Sequence, residues 1–557
     1  MKSVRAGFLA LSAAGLIAIT SGCDKPVTET AEVAETDVPR PNILLVVADD
    51  MGWTDLGSFG SEIETPNIDW LAEIGVRFSE FHVSVSCSPT RSMLLSGTDN
   101  HIAGLGNMGE LLTENQRGKP GYEGHLNDRV VSLAEALQSG GYHTYMAGKW
   151  HLGHEPGTFP RDRGFERSFA LLFGGASHWA DMSGLMEVET PAHYSMNGET
   201  LEELPEDHFS SHSFTDFLID AIRENQGDGT PFLAYLAFQA PHDPMHVPEP
   251  WLSKYRGRYD EGYEALKAER AAAAKRLGLV PESAEIPGPH PMQRAWDSLS
   301  AEEKALEARG MEVYAGMVDN MDEQFGRVVS LLEEIGELDN TVILFFSDNG
   351  ANPWYSDDYP GNRGSEFMAA FDNRLENIGK PGSNYAYGMG WSMAGAGPLD
   401  RFKTTVAEGG IRSPMLVAGP GVAGGRTVSA FSYITDIMPT LLEMAGIDHP
   451  TEFEGRAVEP MRGHSLIGIL SGASEEVYSA NDLIAGEMGE GKWIRKGDFK
   501  ALLVPEPYGA DEWHLFNVVE DPGETRDLSE EMPELRDELI AAWDRYAEEV
   551  GVVPAEP

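Results

Sequence analysis

Two pairs of polar residues, Asp49–Asp50 and Asp348–Asn349, each stand at the end of a continuous apolar run. The runs are ILLVVA and VILFF, the second followed by Ser347, and uninterrupted apolar runs are typical of strands buried in a parallel sheet. Ligands of such sheets bind beyond the carboxyl ends of the strands, so we expect the two pairs to meet at one edge. Three carboxylates and one amide offer only oxygen ligands, which suit a hard cation such as Ca²⁺ or Mg²⁺.

Each pair also has a purely local explanation. Asp-Asp after a strand can cap a helix, and Asp-Asn-Gly can form a tight turn. For either pair alone, the local explanation is the better one. The metal site is favoured because both pairs end strands of the same kind, in a chain that also carries an isolated thiol, Cys87.

Cys87 is one of two cysteines in 557 residues, and the other, Cys23, lies near the start of the chain. A lone cysteine is commonly buried and inert. Here Ser88 and Pro89 predict a helix N-cap and first helical residue just after the thiol, and a helix N-terminus stabilises developing negative charge. Arg91 follows Cys87 by four residues, so both side chains can face one pocket. These neighbours favour a chemical role for the thiol.

Further basic residues stand where predicted strands end or where glycines flank a segment: Lys149, His151, His242 and Lys403. Alone, a lysine or histidine at such a position is usually solvated surface. Their repeated placement predicts that they join Arg91 in a positive cluster beside the carboxylates. An anionic substrate needs such a cluster, because the net charge of the chain is −49 and its general field repels anions.

The strands that carry these residues alternate with helical patterns, such as Val131–Leu137, which a pair of glycines closes. This alternation predicts an α/β fold in which a large, mostly parallel sheet lies between helices. The length suits one large domain, residues 41–459, and a smaller C-terminal part, residues 460–557. Within the large domain, Ser300 and Glu303 predict a capping box at the start of a helix.

The segment 1–23 has the order of a secretion signal: basic residues, an apolar run, and small residues before Cys23. This ending resembles a bacterial lipoprotein signal with Cys23 acylated; an ordinary signal peptide cut nearby is the alternative. Residues 24–40 predict a disordered tether. We expect an exported periplasmic or cell-envelope lipoprotein of a bacterium, held at the membrane only by its lipid. The excess of acidic residues, 90 against 41 basic ones, argues against nucleic-acid binding.

The motif Cys-Ser-Pro-Thr-Arg at residues 87–91, followed by SMLLSG, resembles the signature of the type I sulfatases. Similar to the family's other blocks, and in its order from about Pro41 onward, are VADDMGWTDLGSFG, TPNID, GKWHLG, APHDP, SDNG and KTTVAEGG. GTDNHIAGLGNMGE and GKPGYEGHLNDRVV resemble the bacterial arylsulfatases of the Pseudomonas type. The resemblance implies the fold of the alkaline phosphatase superfamily. It also implies a small C-terminal antiparallel sheet with a helix, and an amphipathic pattern in the sequence predicts that helix at about Pro533–Val550.

The resemblance also implies a reaction, the hydrolysis of small sulfate esters, chiefly aryl sulfates. In this family a maturation enzyme oxidises the motif cysteine, here Cys87, to Cα-formylglycine, and the hydrate of its aldehyde is the nucleophile. The second hydroxyl of the hydrate later expels sulfate, which a serine could not do. The family's cation, Ca²⁺ with Mg²⁺ as an alternative, would then lie among Asp49, Asp50, Cys87, Asp348 and Asn349.

Roles for the basic residues follow from the same resemblance. Arg91 and Lys149 would hold the formylglycine hydrate in place. His151 would be the base that drives release of sulfate. His242 and Lys403 would bind sulfate oxygens and help the alcohol or phenol to depart.

Two other functions stay open. Phosphonate and phosphate diester hydrolases share this fold, this metal site and even formylglycine, but such relatives have His where this chain has Asn349. A non-catalytic lipoprotein that binds sulfated glycans would keep an unmodified thiol at Cys87. The aromatic-rich segment 350–403 either stacks an acceptor or packs a long loop down, and the sequence prefers neither role.

Overall fold

A large mixed sheet lies at the centre of the computed structural model, which describes residues 40–556. The strands are β1 Asn42–Ala48, β2 Val76–His82, β3 His143–Lys149, β4 Arg167–Leu171, β5 Tyr194–Met196, β6 Glu199–Leu201, β7 Phe232–Ala237, β8 Thr341–Ser347, β9 Arg412–Ala418, β10 Arg426–Val428, β11 Ser432–Tyr433, β12 Glu452–Phe453, β13 Arg456–Ala457, β14 Leu483–Met488, β15 Gly491–Lys496, β16 Phe499–Leu503 and β17 Trp513–Asn517. The helices are α1 Pro66–Ile74, α2 Cys87–Ser96, α3 Asn100–Ala103, α4 Leu133–Ser139, α5 Ser210–Glu224, α6 Trp251–Lys254, α7 Tyr263–Arg276, α8 Ala301–Glu334, α9 Glu366–Ala369, α10 Gly388–Ala396, α11 Glu408–Ile411, α12 Ile437–Ala445, α13 Ile467–Leu470 and α14 Pro533–Val550. The predicted signal segment, Cys23 and the predicted tether up to residue 39 lie outside the described residues.

The central sheet has the strand order β10-β2-β9-β8-β1-β7-β3-β4-β5-β6, with β11 beside β2. The middle strands β8, β1, β7, β3 and β4 are parallel, whereas β9, β5 and β6 pair antiparallel with their neighbours. The predicted mixed, mostly parallel α/β architecture is therefore confirmed.

Burial on both faces explains the uninterrupted apolar runs of the middle strands. Every residue of β1 is buried, and Leu44 and Val46 belong to an apolar cluster on one face of the sheet. Their neighbours Leu45 and Val47 belong to a second cluster on the other face. Because consecutive side chains of a strand point to opposite faces, a strand covered on both sides has no polar position until the chain leaves the sheet.

A second sheet, antiparallel and formed by β14 to β17, packs under α14 near the end of the chain. Ile494 and Leu515 of the sheet share an apolar cluster with Leu539 and Trp543 of the helix. This confirms the predicted C-terminal sheet with a helix. The chain from Arg40 onward forms one compact unit, so a domain boundary at residue 460 stays a prediction.

Helix starts were predicted with mixed success. Ser300 and Glu303 form the predicted capping box of α8, because each side chain accepts a hydrogen bond from the other residue's backbone N–H. The predicted cap at Ser88 is wrong by two residues, since α2 begins at Cys87 and Ser86 precedes it. The backbone N–H of Thr90 already bonds the Ser86 carbonyl at 3.2 Å, which places Cys87 inside the first turn.

Within residues 40–556, no helix has both the length and the apolar character that a bilayer crossing requires.

A buried charge cluster ties the C-terminal sheet to the region around α11. The ammonium of Lys500, on β16, lies 2.8 Å from a Glu408 carboxylate oxygen and 2.9 Å from one of Glu524. All three side chains are about 1% exposed, so water cannot replace a missing partner. Removing one member of such a cluster leaves an uncompensated buried charge.

We therefore expect Lys500→Met to lower the free energy of unfolding by about 3–5 kcal/mol. Lys496→Met is the matched control, because Lys496 makes its ion pair with Glu538 in a more exposed setting. That change should cost less than about 1 kcal/mol. Denaturant titration of both variants measures the difference, and equal small losses would show that the cluster does not hold the two parts together.

Candidate active site

The two predicted acidic pairs meet at the carboxyl edge of the central sheet. Asp49 and Asp50 follow β1, while Asp348 and Asn349 follow β8, the strand paired with β1 in parallel. The backbone N–H of Asp50 donates to a carboxylate oxygen of Asp348 at 3.2 Å. Asp50 itself has a φ of 63°, a left-handed conformation that turns the chain sharply at the end of the strand. All four side chains are buried.

Cys87 is the first residue of α2 and is 1% exposed. Its Sγ atom lies 3.6 Å from a carboxylate oxygen of Asp50 and 3.3 Å from the ammonium of Lys403. Burial raises the pKa of this thiol well above its usual value. Among the described residues it is the free cysteine, without a disulfide. The thiol thus lies between acidic and basic groups, but unmodified it would be a poor nucleophile at neutral pH.

Arg91 lies one helical turn after Cys87 and is fully buried. Its Nε donates to Asp348 at 2.9 Å, and one terminal nitrogen donates to the carbonyl of Lys149 at 2.7 Å. The ammonium of Lys149 contacts both carboxylate oxygens of Asp49, at 2.9 and 2.7 Å. Although burial opposes ionisation, Lys149 holds the pKa of Asp49 well below its usual range. Asp348 differs, because burial and the nearby Asp49 charge raise its pKa to about 6.

Lys403 and His242 lie on the other side of Asp50. The Lys403 ammonium is 2.7 Å from one carboxylate oxygen of Asp50, and His242 Nε2 is 3.3 Å from the other. These two basic groups are 3.5 Å apart. The Nδ1 atom of His242 lies 2.7 Å from the carbonyl oxygen of Asp243. A carbonyl oxygen can only accept a hydrogen bond, so Nδ1 of His242 carries a proton. The other ring nitrogen, Nε2, faces the thiol side of the cluster.

His151 comes two residues after β3, has a φ of 54° and lines the same narrow cavity as Cys87. Its Nε2 lies 3.1 Å from the carboxylate of Glu110, while its Nδ1 is buried without a hydrogen-bond partner among the described residues. Burial lowers the pKa of His151, although Glu110 opposes this. The sequence reasoning missed Glu110, because an acidic residue in an irregular loop has no distinguishing local pattern.

The aromatic residues of segment 350–403 divide between a cavity wall and the apolar core. Trp354 and Tyr359 line a narrow cavity together with Cys87. Tyr387 and Trp391, in contrast, are buried in the main apolar core. The indole N–H of Trp354 donates to the hydroxyl of Tyr508 at 3.0 Å, so the C-terminal part of the chain supports this wall of the cavity.

The donor set fits a divalent cation. Ligand atoms of Asp49, Asp50, Cys87 and His242 all lie within 4.8 Å of one another. The side-chain oxygen of Asn349 is buried and has no hydrogen-bond partner within the described chain, whereas its nitrogen donates to Asp50. Converging carboxylates with a free amide oxygen suit a hard ion. The geometric group includes His242, which the sequence prediction did not; the Asp348 carboxylate is turned towards Arg91.

Comparisons with known proteins give a consistent result. A family model described as Sulfatase matches residues 41–447. An arylsulfatase of Klebsiella aerogenes is 40% identical over 437 residues, covering 77% of this chain and 92% of that protein. A protein of Schizosaccharomyces pombe named as an uncharacterized sulfatase is 44% identical over 533 residues, covering 94% of this chain and 96% of the relative.

Solved structures agree on the fold. Ps i-CgsB in complex with k-i-k-neocarrahexaose superposes with a TM-score of 0.62 at 22% identity, over 91% of this chain and 93% of the other. A phosphonate monoester hydrolase of Agrobacterium radiobacter gives a TM-score of 0.53 at 20% identity, over 92% and 96% of the two chains. At these identities the similarity establishes the shared architecture, and it does not distinguish the two chemistries.

Proposed function

This chain belongs to the sulfatase family, whose members hydrolyse sulfate esters, and we propose that its substrates are aryl sulfates and its nucleophile is a formylglycine made from Cys87. The observation that carries this proposal is the position of Cys87 at the start of α2. There its Sγ is 3.3 Å from a buried ammonium and 3.6 Å from a buried carboxylate. The hydrate of a formylglycine would supply a hydroxyl nucleophile that a buried thiol with a raised pKa does not.

The cation that we propose is Ca²⁺, with Mg²⁺ as the alternative, held by Asp49, Asp50, residue 87, Asp348 and Asn349. Bound there, it would offset the negative charge of the sulfate group and of the nucleophile. The unpartnered oxygen of Asn349 supports this assignment, because a buried amide oxygen normally has a hydrogen bond or a metal.

Arg91 and Lys149 would keep the acidic side of the site in place. Arg91 bonds Asp348 and the backbone of Lys149, while Lys149 contacts both oxygens of Asp49. Their charges are fully buried, so each fixes its carboxylate partner in one orientation. We propose that this fixed frame positions residue 87.

Lys403 and His242 are proposed to stabilise the charge on the departing oxygen. The Lys403 ammonium is 3.3 Å from the thiol, a ring nitrogen of His242 lies within 4.8 Å of it, and the polar atoms of the two residues are 3.5 Å apart. Despite burial, Asp50 raises the pKa of Lys403 well above its usual value, so the ammonium stays charged. A charged donor in a water-poor site stabilises a developing oxyanion.

His151 is proposed as the base for the step that follows departure of the alcohol. A carboxylate can only accept, so the Nε2 atom facing Glu110 carries the proton, and Nδ1 retains its lone pair. Burial lowers the pKa of His151 and favours this neutral form. Glu110 thereby positions the ring with its basic nitrogen free.

A Brønsted analysis tests the roles of Lys403 and His242. General acid assistance contributes about 10²–10⁴-fold and is needed most for poor leaving groups. We expect Lys403→Ala and His242→Ala to slow para-nitrophenyl sulfate mildly and phenyl sulfate severely, which steepens the dependence of log(kcat/KM) on leaving-group pKa. His151→Ala should instead lower kcat to nearly the same value for all good leaving groups, because its step comes after their departure. Parallel lines for wild type and the three variants would show that these roles are misassigned.

The proposed function itself is tested by two esters of the same phenol, para-nitrophenyl sulfate and para-nitrophenyl phenylphosphonate. We expect the sulfate to be the better substrate by kcat/KM. Preference for the phosphonate ester would favour the alternative hydrolase. Because both esters release nitrophenol, the comparison is free of leaving-group effects.

We also propose export and anchoring through an acylated Cys23, and modification of Cys87 by a separate maturation enzyme. Support for the anchor comes from the sequence of the N-terminal segment, since Cys23 lies outside the described residues. Membrane fractionation of the native protein and of a Cys23→Ala variant tests it. A wild type that remains fully soluble would rule the anchor out.

A further inference from the structure

A second and larger cavity, of about 590 Å³, lies next to the narrow cavity that contains Cys87. Glu110, His151 and Glu189 line both of them, so the two spaces adjoin through shared walls. If the sulfate group binds beside residue 87, the larger cavity is the space available to the alcohol or phenol part of the ester. We call it the acceptor cavity.

The walls of the acceptor cavity are largely apolar. They include Leu105, Leu111, Leu172, Phe173, Met186 and Val188. Within the described chain, no lysine or arginine lines this space, and its ionisable residues are Glu110, His151, His154 and Glu189. A polyanionic acceptor requires cationic partners to offset its charges. The acceptor cavity therefore lacks the groups that would hold one.

Glu189 is the carboxylate of this cavity that has no ion-pair partner among the described residues. It ends a short helical turn, Glu187–Glu189, and is 9% exposed. One carboxylate oxygen is fully buried without a hydrogen-bond partner, and no described cation lies within ion-pair distance. Glu110, in contrast, is paired with His151. Burial, together with the charge of Glu110, raises the pKa of Glu189 to about 7.

Burying a carboxylate without a hydrogen-bond partner costs free energy. A carboxylate of this kind in a substrate cavity therefore points to a partner that the substrate supplies. A hydroxyl or amide N–H on the acceptor would satisfy it. A second carboxylate or sulfate on the acceptor would face a like charge in a poorly solvated space.

We propose that Glu189 determines acceptor specificity, an inference that rests on the sulfate-ester hydrolysis proposed above. It selects uncharged, mainly apolar acceptors that present a hydrogen-bond donor, and it excludes acceptors that carry a second anionic group. Glu189 contacts the acceptor rather than the sulfur centre, so its effect is on discrimination between substrates.

The test uses two substrates that differ only in remote charge, para-(carboxyethyl)phenyl sulfate and para-(carbamoylethyl)phenyl sulfate. The ethyl spacer keeps the phenol pKa nearly equal, so the ratio of their kcat/KM values reports acceptor recognition. Assays at about pH 8 keep the Glu189 carboxylate mainly ionised. The variants are Glu189→Gln and the matched control Glu187→Gln, since Glu187 lies on the same helical turn, is exposed and lines neither cavity.

We expect wild type to prefer the amide, and Glu189→Gln to raise the carboxylate-to-amide ratio by about tenfold or more, because like charges in a partly buried site repel strongly. Glu187→Gln should leave the ratio within about threefold of wild type, since a solvated charge is screened. An unchanged ratio in Glu189→Gln, or an equal change in both variants, would overturn the inference.

The wild-type preference can be measured even if Glu189→Gln fails to fold, and a wild type that favours the carboxylate ester would also overturn the inference. The peptide mass of the residue 87 segment shows whether Cys87 has been modified, so that failure of the proposed function can be distinguished from failure of the inference about Glu189. A correctly modified wild type that hydrolyses neither sulfate ester would refute the proposed function, and the inference with it. Hydrolysis of both esters without discrimination would refute the inference alone.

Discussion

Replacing Cys87 by alanine is expected to abolish turnover of aryl sulfates while leaving the fold intact. Loss of a covalent nucleophile typically costs roughly 10⁶-fold in kcat. The fold should survive because Cys87 makes no disulfide within residues 40–556 and its side chain is small. Initial rates with para-nitrophenyl sulfate measure the loss, and the circular dichroism spectrum together with the melting temperature checks the fold.

Ser96→Ala is a suitable control, since Ser96 lies at the far end of the same helix, where its hydroxyl donates to the carbonyl of Ser92 and accepts a long hydrogen bond from the backbone N–H of Thr98. That variant should keep its activity. Peptide mass of wild type should show an aldehyde in place of the thiol at residue 87. Full activity in protein whose Cys87 remains a thiol would disprove the formylglycine mechanism and would make an inert or binding role for this cysteine the better account.

Removing the Asp348 carboxylate should have the second largest effect. We expect Asp348→Asn to lower kcat/KM by roughly 10³-fold, since a lost metal ligand removes several kcal/mol of charge stabilisation. Both Asp348→Asn and Asp348→Ala should also destabilise the fold, because each leaves the buried guanidinium of Arg91 without its closest carboxylate. The melting temperature of each variant is therefore measured beside its kinetics, and a loss of kcat/KM in protein that remains folded reports the loss of the carboxylate from the site.

Chelation of wild type should reproduce the loss, and Ca²⁺ or Mg²⁺ should restore activity better than a soft, thiophilic ion. Asp322→Asn is the matched control, because Asp322 is also a buried carboxylate but accepts backbone N–H bonds at the start of α1. Its response to chelation and to added ions should equal that of wild type. Recovery with Zn²⁺ alone would point to a different metal chemistry.

The edge position of the acidic pairs was predictable because of a simple constraint on buried strands. Leu44 and Leu45 point into opposite apolar clusters, and after Asn42 at its start β1 carries only apolar residues, from Ile43 to Ala48. The first polar residues, Asp49 and Asp50, must then lie where the strand leaves the sheet. The same reasoning located the residues after β8, and the periodic pattern of α14 predicted its bounds, Pro533–Val550.

The partners within the site could not be predicted in this way. That Asp348 bonds Arg91, that His242 approaches Asp50, and that Glu110 orients His151 depend on loops with no periodic pattern.

Sequence by itself determined the fold class, the family and the residues delivered to the edge of the sheet, because periodicity and motif order are local properties of the chain. Tertiary structure alone decided which aromatic residues line the cavity, and that Glu189 is a buried carboxylate without a partner in the part of the chain that the structure describes. Burial and the absence of a partner arise from segments far apart in the chain that pack together, so no local pattern at residue 189 could reveal them.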